Sequence, residues 1–237
     1  MTATNNKSKF SDFSDFSVFG AKPKDAVLLP SSAMNVRNNC QSGQWTIGDR
    51  DYGSKCSMTI LKFSRFFGSL GQTSNTLWGQ LWFIAESGEL PQGVVMVTYL
   101  KNRNLDVFNN LIAEVQSKGI EPALGVFTPE FVKQSGQKPD DSGVVRPVNY
   151  YTLKWTWSER SDVQYAIIEQ AAALLSDPIN ASRLVDLQGT RMMQCVDNLS
   201  VEELAALVGG NAQDSLQLQQ RLASATANAL PASASEL

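Results

Sequence analysis

Histidine is absent from this chain of 237 residues. That excludes histidine general acid–base catalysis, Ser-His-Asp and Cys-His catalysis, and every metal site that needs an imidazole. Cysteine is scarce. Cys40, Cys56 and Cys195 form no C-x-x-C pair, and an odd, sparse set reads as free, buried thiols in a reducing compartment. Their spacing also argues against zinc, and no metal is expected. Long apolar runs are missing too. Nothing approaches the ~20 residues needed to cross a bilayer. Near the N-terminus Ser and Asp interrupt the apolar residues, so no signal-peptide core is read there. The expected setting is the cytoplasm, away from membrane.

Charge of one sign does not dominate. The formal net charge is −3, distributed as +2 over residues 1–40, +1 over 41–160 and −6 over 161–237. This excludes a polycation that coats DNA through bulk charge but leaves room for a local cationic groove. Catalytic motifs are lacking as well. Gly68-Ser-Leu-Gly71 is too short for a phosphate-binding loop and has no lysine. Asp49 with Asp51, and Asp140 with Asp141, fall in turn-like stretches where Asp is simply common. The reading is a non-enzyme without a cofactor.

What the chain does have is aromatic and cationic side chains sharing short, strand-like segments between Trp45 and Trp157. Alternation sends odd and even residues of a strand to opposite faces. Strands are expected over residues 41–51, 55–65, 76–85, 91–101, 123–132 and 148–157. In the third, Trp78, Gln80 and Trp82 share a face; in the fourth, Val95, Val97, Tyr99 and Lys101 do. Residues 66–71 read as a glycine-punctuated loop, and 134–146 as a polar, mobile one. One helix is expected after the fourth strand. Asn104 would cap it, Leu105, Phe108, Leu111, Ile112 and Val115 would be its apolar stripe, and Gly119 its stop.

Residues 1–40 read as a flexible arm in which Phe10, Phe13, Phe16 and Phe19 recur at every third position. Past residue 160 the composition turns helical and acidic. Capping boxes at 161–164 and 200–203 open helices, with another helix over 181–195. Residues 211–237 are rich in Ala, Gln and Ser and read as a disordered tail.

The fold expected is therefore mainly β with an α appendage (α+β). Its centre is an OB-like small antiparallel barrel over 41–160, followed by a helical region over 161–210. Such a barrel avoids exposed strand edges. Aromatics beside cations suit a ligand with flat rings and negative charge, which single-stranded DNA or RNA is. The candidate contacts are Lys62, Arg65, Trp78, Gln80, Trp82, Tyr99, Lys101, Arg103, Tyr150 and Lys154. If Trp155 and Trp157 fill the core, Tyr150 and Lys154 look outward together. The competing reading is a structural or adaptor subunit that assembles with itself or with protein partners. It would use the four Phe of the arm together with Leu204 and Leu207 of the last helix.

This layout resembles single-stranded-DNA-binding proteins, in which an aromatic barrel is followed by an acidic, low-complexity end. The resemblance implies binding without sequence preference and a tail that recruits replication or repair partners. The end of this chain, Ala-Ser-Glu-Leu, departs from the aspartate-rich tip of the bacterial members. Trp78-Gly-Gln-Leu-Trp82-Phe83 with Thr98-Tyr99-Leu100-Lys101 is also similar to proteins of cyanobacteria, their plasmids and phages, which implies a mobile-element setting.

Overall fold

Four short strands lead into the fold: β1 (Met34–Asn35), β2 (Arg37–Asn39), β3 (Gln44–Ile47) and β4 (Arg50–Asp51). Then come two long strands, β5 (Cys56–Leu70) and β6 (Thr73–Gly88), joined by a tight turn in which Gly71 takes a φ of 59°. That left-handed conformation favours glycine. β7 (Val95–Lys101) runs directly into helix α1 (Asn102–Ser117). β8 (Val126–Pro139) and β9 (Val145–Ser158) form a long ribbon. Helices α2 (Tyr165–Ser176) and α3 (Pro178–Arg183), strand β10 (Met193–Cys195) and helix α4 (Val201–Val208) follow. These elements come from a computed structural model that describes residues 27–31, 33–139, 143–160, 165–184 and 193–208. Phe10, Phe13, Phe16 and Phe19, the capping box at 161–164 and the low-complexity stretch 211–237 lie outside the described residues.

The molecule is mostly β with a few helices. The main sheet has the order β1-β7-β6-β5-β8-β9, with β10 added to β5, and β2-β3-β4 is a separate meander. No closed barrel is found among the described residues, because the pairing is an open path ending at β1 and β9. Helix α1 touches β6, β7 and β9. Four strand spacings of about 4.8 Å separate β7 from β9 in a flat sheet, more than the ~10–12 Å width of one helix. The sheet therefore curls around α1. At the closest approach Gly79 of β6 has no side chain, and a Cβ there would lie 2.6 Å from Leu105 of the helix.

The curl encloses the larger core. Met58, Leu81, Phe83, Met96, Leu100, Phe127, Leu153 and Trp155 surround Leu105 and Phe108 of α1. Trp45 of the meander is fully buried among them and meets Phe131 edge-on at 5.3 Å. The helix stripe read from the sequence is thus the buried one, but Asn104 is not its cap. The helix starts at Asn102, and Asn104 is buried inside it. There its side chain accepts from Leu153 N–H at 2.9 Å and donates to Cys40 Sγ at 3.3 Å.

The opposite sheet face is a second core. Trp82, Ile84, Val95 and Val97 are covered by Ala171, Leu184, Leu174 and Leu175 from the C-terminal helices and by Val27, Leu29 and Ala33 from the start of the described chain. Residues 27–40 are accordingly part of the body: Leu28 bridges Val94, and β1 pairs with β7. The segment 66–71 is mostly strand, and the expected loop 134–146 is largely a ladder running from Val126↔Ser158 to Pro139↔Val145. Of the helix expected over 181–195, Cys195 ends β10 instead. The box at 200–203 is made as expected, with Glu203 accepting from Ser200 N–H at 2.8 Å and Ser200 Oγ accepting from Glu203 N–H at 3.2 Å. The helix it opens buries Leu204 beside Val196, with Phe67, Leu77, Leu199 and a half-buried Leu207 packed against them.

A buried ion pair ties the far end of β9 to β6. Arg160 donates to Glu86 Oε1 at 2.5 Å, to Thr59 Oγ1 at 2.5 Å and to the Gly125 carbonyl at 2.9 Å, with both charged side chains almost wholly out of solvent. Breaking such a pair strands a charge in the interior. Arg160→Leu should therefore destabilise the protein by about 3–5 kcal/mol in urea unfolding. Arg160→Leu with Glu86→Leu should recover more than half of that loss. A single variant that unfolds like the parent would show the pair to be idle.

Candidate functional site: a cationic cleft beside the start of helix α1

Where β7 becomes α1, the chain changes direction at one residue. Asn102 has a φ of 49°, a conformation that Asn tolerates better than most side chains. The switch sets Lys101, Arg103 and the first turn of α1 along one wall of a cleft of about 960 Å³. Residues 35–41 form a second wall, the β5–β6 turn a third, and Tyr150, Tyr151 and Thr152 of β9 a fourth. The walls are tied together. Asn38 Nδ2 donates to the Tyr99 carbonyl at 2.7 Å, and Tyr151 N–H donates to the Cys40 carbonyl at 2.7 Å.

The chemistry of this lining is one-sided. Among the described residues it contains Arg37, Lys101 and Arg103, and no Asp or Glu. The first turn of the 16-residue helix carries no acid, and no side chain caps it. Its free N–H groups and dipole add to the positive field. Lys101 is held by a 2.5 Å hydrogen bond to Thr73 and lies 5.2 Å from the centre of the Trp78 ring. Tyr99 is fixed from behind: its hydroxyl accepts from Gln80 Nε2 at 3.0 Å, and Gln80 Oε1 accepts from the Trp82 indole N–H at 3.0 Å. Tyr151 rests over Gly43, and Tyr150 over Gly136, where a Cβ would lie within 2.8 and 3.1 Å of the rings. Each ring thus has one side packed on backbone, and both residues remain half-exposed at the cleft.

Of the ten contacts expected from the sequence, the cleft gathers Trp78, Tyr99, Lys101, Arg103 and Tyr150. Trp78 is only 5% exposed and serves as the floor beneath Lys101. Gln80 and Trp82 are buried at 0% and 1%, so neither offers a surface to a ligand; the second core covers them. Lys62 sits opposite Trp82 in the ladder, outside the cleft. Arg65 is committed to Asp197, whose carboxylate accepts from its backbone N–H at 2.8 Å and from its side chain at 3.3 Å. Lys154 does look outward, but directly opposite Glu130, away from the cleft. The sequence reading missed Arg37, Tyr151 and the exposed amides Asn35, Gln41, Gln72 and Asn102. The available signal was the dense Asn/Arg/Gln run at 35–41 and its echo at 101–104.

Among the described residues no three His, Cys, Asp or Glu side chains gather as metal ligands, and no helix is long and apolar enough to cross a membrane. No family model matches the chain, no curated protein matches it, and no solved structure matches it.

Cys40 provides a probe in the cleft wall. Burial pushes its thiol pKa up, against the opposing effects of the Asn104 hydrogen bond and the Lys101 charge. Burial alone pushes Cys56 up to about 12. Only the thiolate alkylates readily. With iodoacetamide at pH 8, exposed Cys195 should react first, Cys40 much more slowly, and Cys56 only on unfolding, as read by peptide mapping. Equal rates at Cys40 and Cys195 would contradict the closed cleft wall.

Proposed function

We propose that the protein is a non-enzymatic single-stranded nucleic-acid-binding protein of replication, recombination or a mobile element, and that the cleft is its binding site. The observation that carries this reading is the segregation of charge. A chain of net charge −3 surrounds a cleft of about 960 Å³ with three cations and, among the described residues, no carboxylate. Phosphate contacts to Arg37, Lys101, Arg103 and the first turn of α1 position the strand. Tyr99, Tyr150 and Tyr151 supply stacking surfaces, each worth about 1–3 kcal/mol per base and tolerant of sequence. The unpaired amides at the rim can bond to base edges, which a duplex hides within its pairing. The reading does not require a closed OB-type barrel, since a cationic groove with aromatic walls is sufficient. It draws nothing from Leu204 and Leu207, which pack with Val196 near the end of the described chain.

Fluorescence anisotropy with labelled dT16 and a 16-base-pair duplex, at two salt concentrations, tests this. Submicromolar binding of the single strand is expected, weakening as salt rises. Arg37→Ala and Arg103→Ala should each lower the salt slope by about 0.7. Tyr150→Ala should weaken binding roughly 5- to 150-fold through lost stacking. A folded protein that ignores dT16 at low salt, or takes the duplex equally well, would overturn the proposal and turn attention to protein partners of the Phe-rich segment.

A further inference from the structure

The cleft takes in the first turn of α1. Asn102, Arg103 and Asn104 open this helix of 16 residues with no side-chain cap and no acid in the first turn. The first N–H groups of a helix have no carbonyl of their own to bond, and its dipole favours an anion at that end. The Asn104 amide cannot serve as a cap, because it is spent on Leu153 N–H and Cys40 Sγ. A second feature, independent of the helix, lies in the same lining. Thr152 of β9 lines the cleft and is only 8% exposed, yet among the described residues its hydroxyl has no hydrogen-bond partner. The neighbouring threonines of the lining differ: Thr46 accepts from Arg37 and Thr73 from Lys101. A buried hydroxyl left unpaired costs stability, so Thr152 is a group that an occupant of the cleft can satisfy. It sits beside the helix start, since the next N–H along β9, that of Leu153, bonds to Asn104 at 2.9 Å. Asp106, the next acid along α1, is not part of the lining.

Resting on the nucleic-acid reading of the cleft, we propose that this corner holds the terminal phosphate of a strand, a phosphomonoester, so that the protein prefers phosphorylated strand ends to internal positions. The donors favour the monoester. They come from three elements: the N–H groups at the start of α1, the Thr152 hydroxyl on β9, and Lys101, held toward the β5–β6 turn by Thr73. An internal phosphodiester has two unesterified oxygens and a single negative charge. A monoester has three such oxygens and a charge of about −1.5 to −2 at pH 7. It can direct one oxygen to each element and keep the fourth for the ester link to the strand. A cleft of this volume suits a ligand of about dinucleotide size, which leaves room for the end phosphate and the first bases beside the tyrosines. A 5′-phosphate and a 3′-phosphate share this chemistry.

Internally labelled dT8 carrying a 5′-phosphate, a 3′-phosphate or neither is titrated into the full chain, with unphosphorylated dT9 as a strand whose added charge is a diester. At least one phosphorylated strand should bind about tenfold more tightly than dT8, whereas dT9 should gain no more than about twofold. The strand that gains identifies the end. Thr152→Val should cut the phosphorylated-to-unphosphorylated ratio to about threefold or less, and Thr152→Ser, which keeps the hydroxyl, should retain it. Phosphorylated strands that bind no more tightly than dT9, or a folded Thr152→Val with the wild-type ratio, overturn the end site and leave the cleft reading standing. Wild type that binds none of the strands overturns both.

Discussion

The constraint on which the rest of this structure depends is that β6 is buried on both faces. Residues 78–85 are buried without interruption, Gln80 included. An antiparallel strand with one wet face would alternate; a strand that reads as apolar throughout must be covered twice. On one side the cover is α1, admitted closely by Gly79. On the other it is α2, Leu184 at the end of α3, and Val27, Leu29 and Ala33, packed on Trp82, Ile84, Val95 and Val97. Neither the first described segment nor the C-terminal helices are appendages in this sense, because without them a run of large apolar side chains would face water. Full burial of one such side chain is worth about 1.5–3 kcal/mol.

The cleft arises where that double cover ends. The second core surrounds Trp82 and Ile84, while Trp78, nearer the β5–β6 turn, belongs to a smaller cluster with Phe66, Leu70 and Tyr99. There the polar residues of β1 and β2, the turn at Asn102 and the root of the β8–β9 ribbon converge. Acidic groups elsewhere are spent locally: Glu86 on Arg160, Asp197 on Arg65, Glu203 on a helix start and Glu114 on Lys118. The exposed pairs among them, such as Glu114–Lys118, contribute little stability individually, unlike the buried Glu86–Arg160 pair. Their effect here is on the distribution of charge, since they leave the cleft lining positive in a chain that is negative as a whole.

What was legible in the sequence were local properties. Alternation in 76–85 and 91–101 placed the right residues on the right faces, the α1 stripe was visible from its spacing, and the box at 200–203 formed as written. What covers each face was not legible. Apolar side chains on both sides of a strand can mean a ligand surface or a second layer, and only the packing of distant helices decides, which is why Trp82 and Gln80 read as a platform and are interior. The ribbon was missed for a related reason. Gly136, Pro139 and Pro147 speak against strand locally, yet the pairing register continues past them, the prolines donating nothing and Tyr150 covering the glycine. Arg37 escaped notice because a segment of Asn and Arg shows no periodicity until β3 pairs with β2 and sets Arg37 opposite Thr46.

Gln80 shows how the buried layer and the cleft are coupled. A fully buried amide must have partners on both ends, or each unsatisfied group costs about 1–3 kcal/mol. Its oxygen accepts from Trp82, inside the second core, and its nitrogen donates to the Tyr99 hydroxyl at the cleft. The same core that buries Trp82 therefore orients the amide, and the amide fixes the tyrosine. Trp78 repeats the pattern, its indole N–H tied to the Gly68 carbonyl at 3.2 Å while its ring supports Lys101. Tyr99 and Lys101 are thus held by the protein itself, which would spare a ligand the entropy of ordering them. Trp78, Gln80 and Trp82 matter to such a site as its inner support, one layer behind the groups that a ligand would touch.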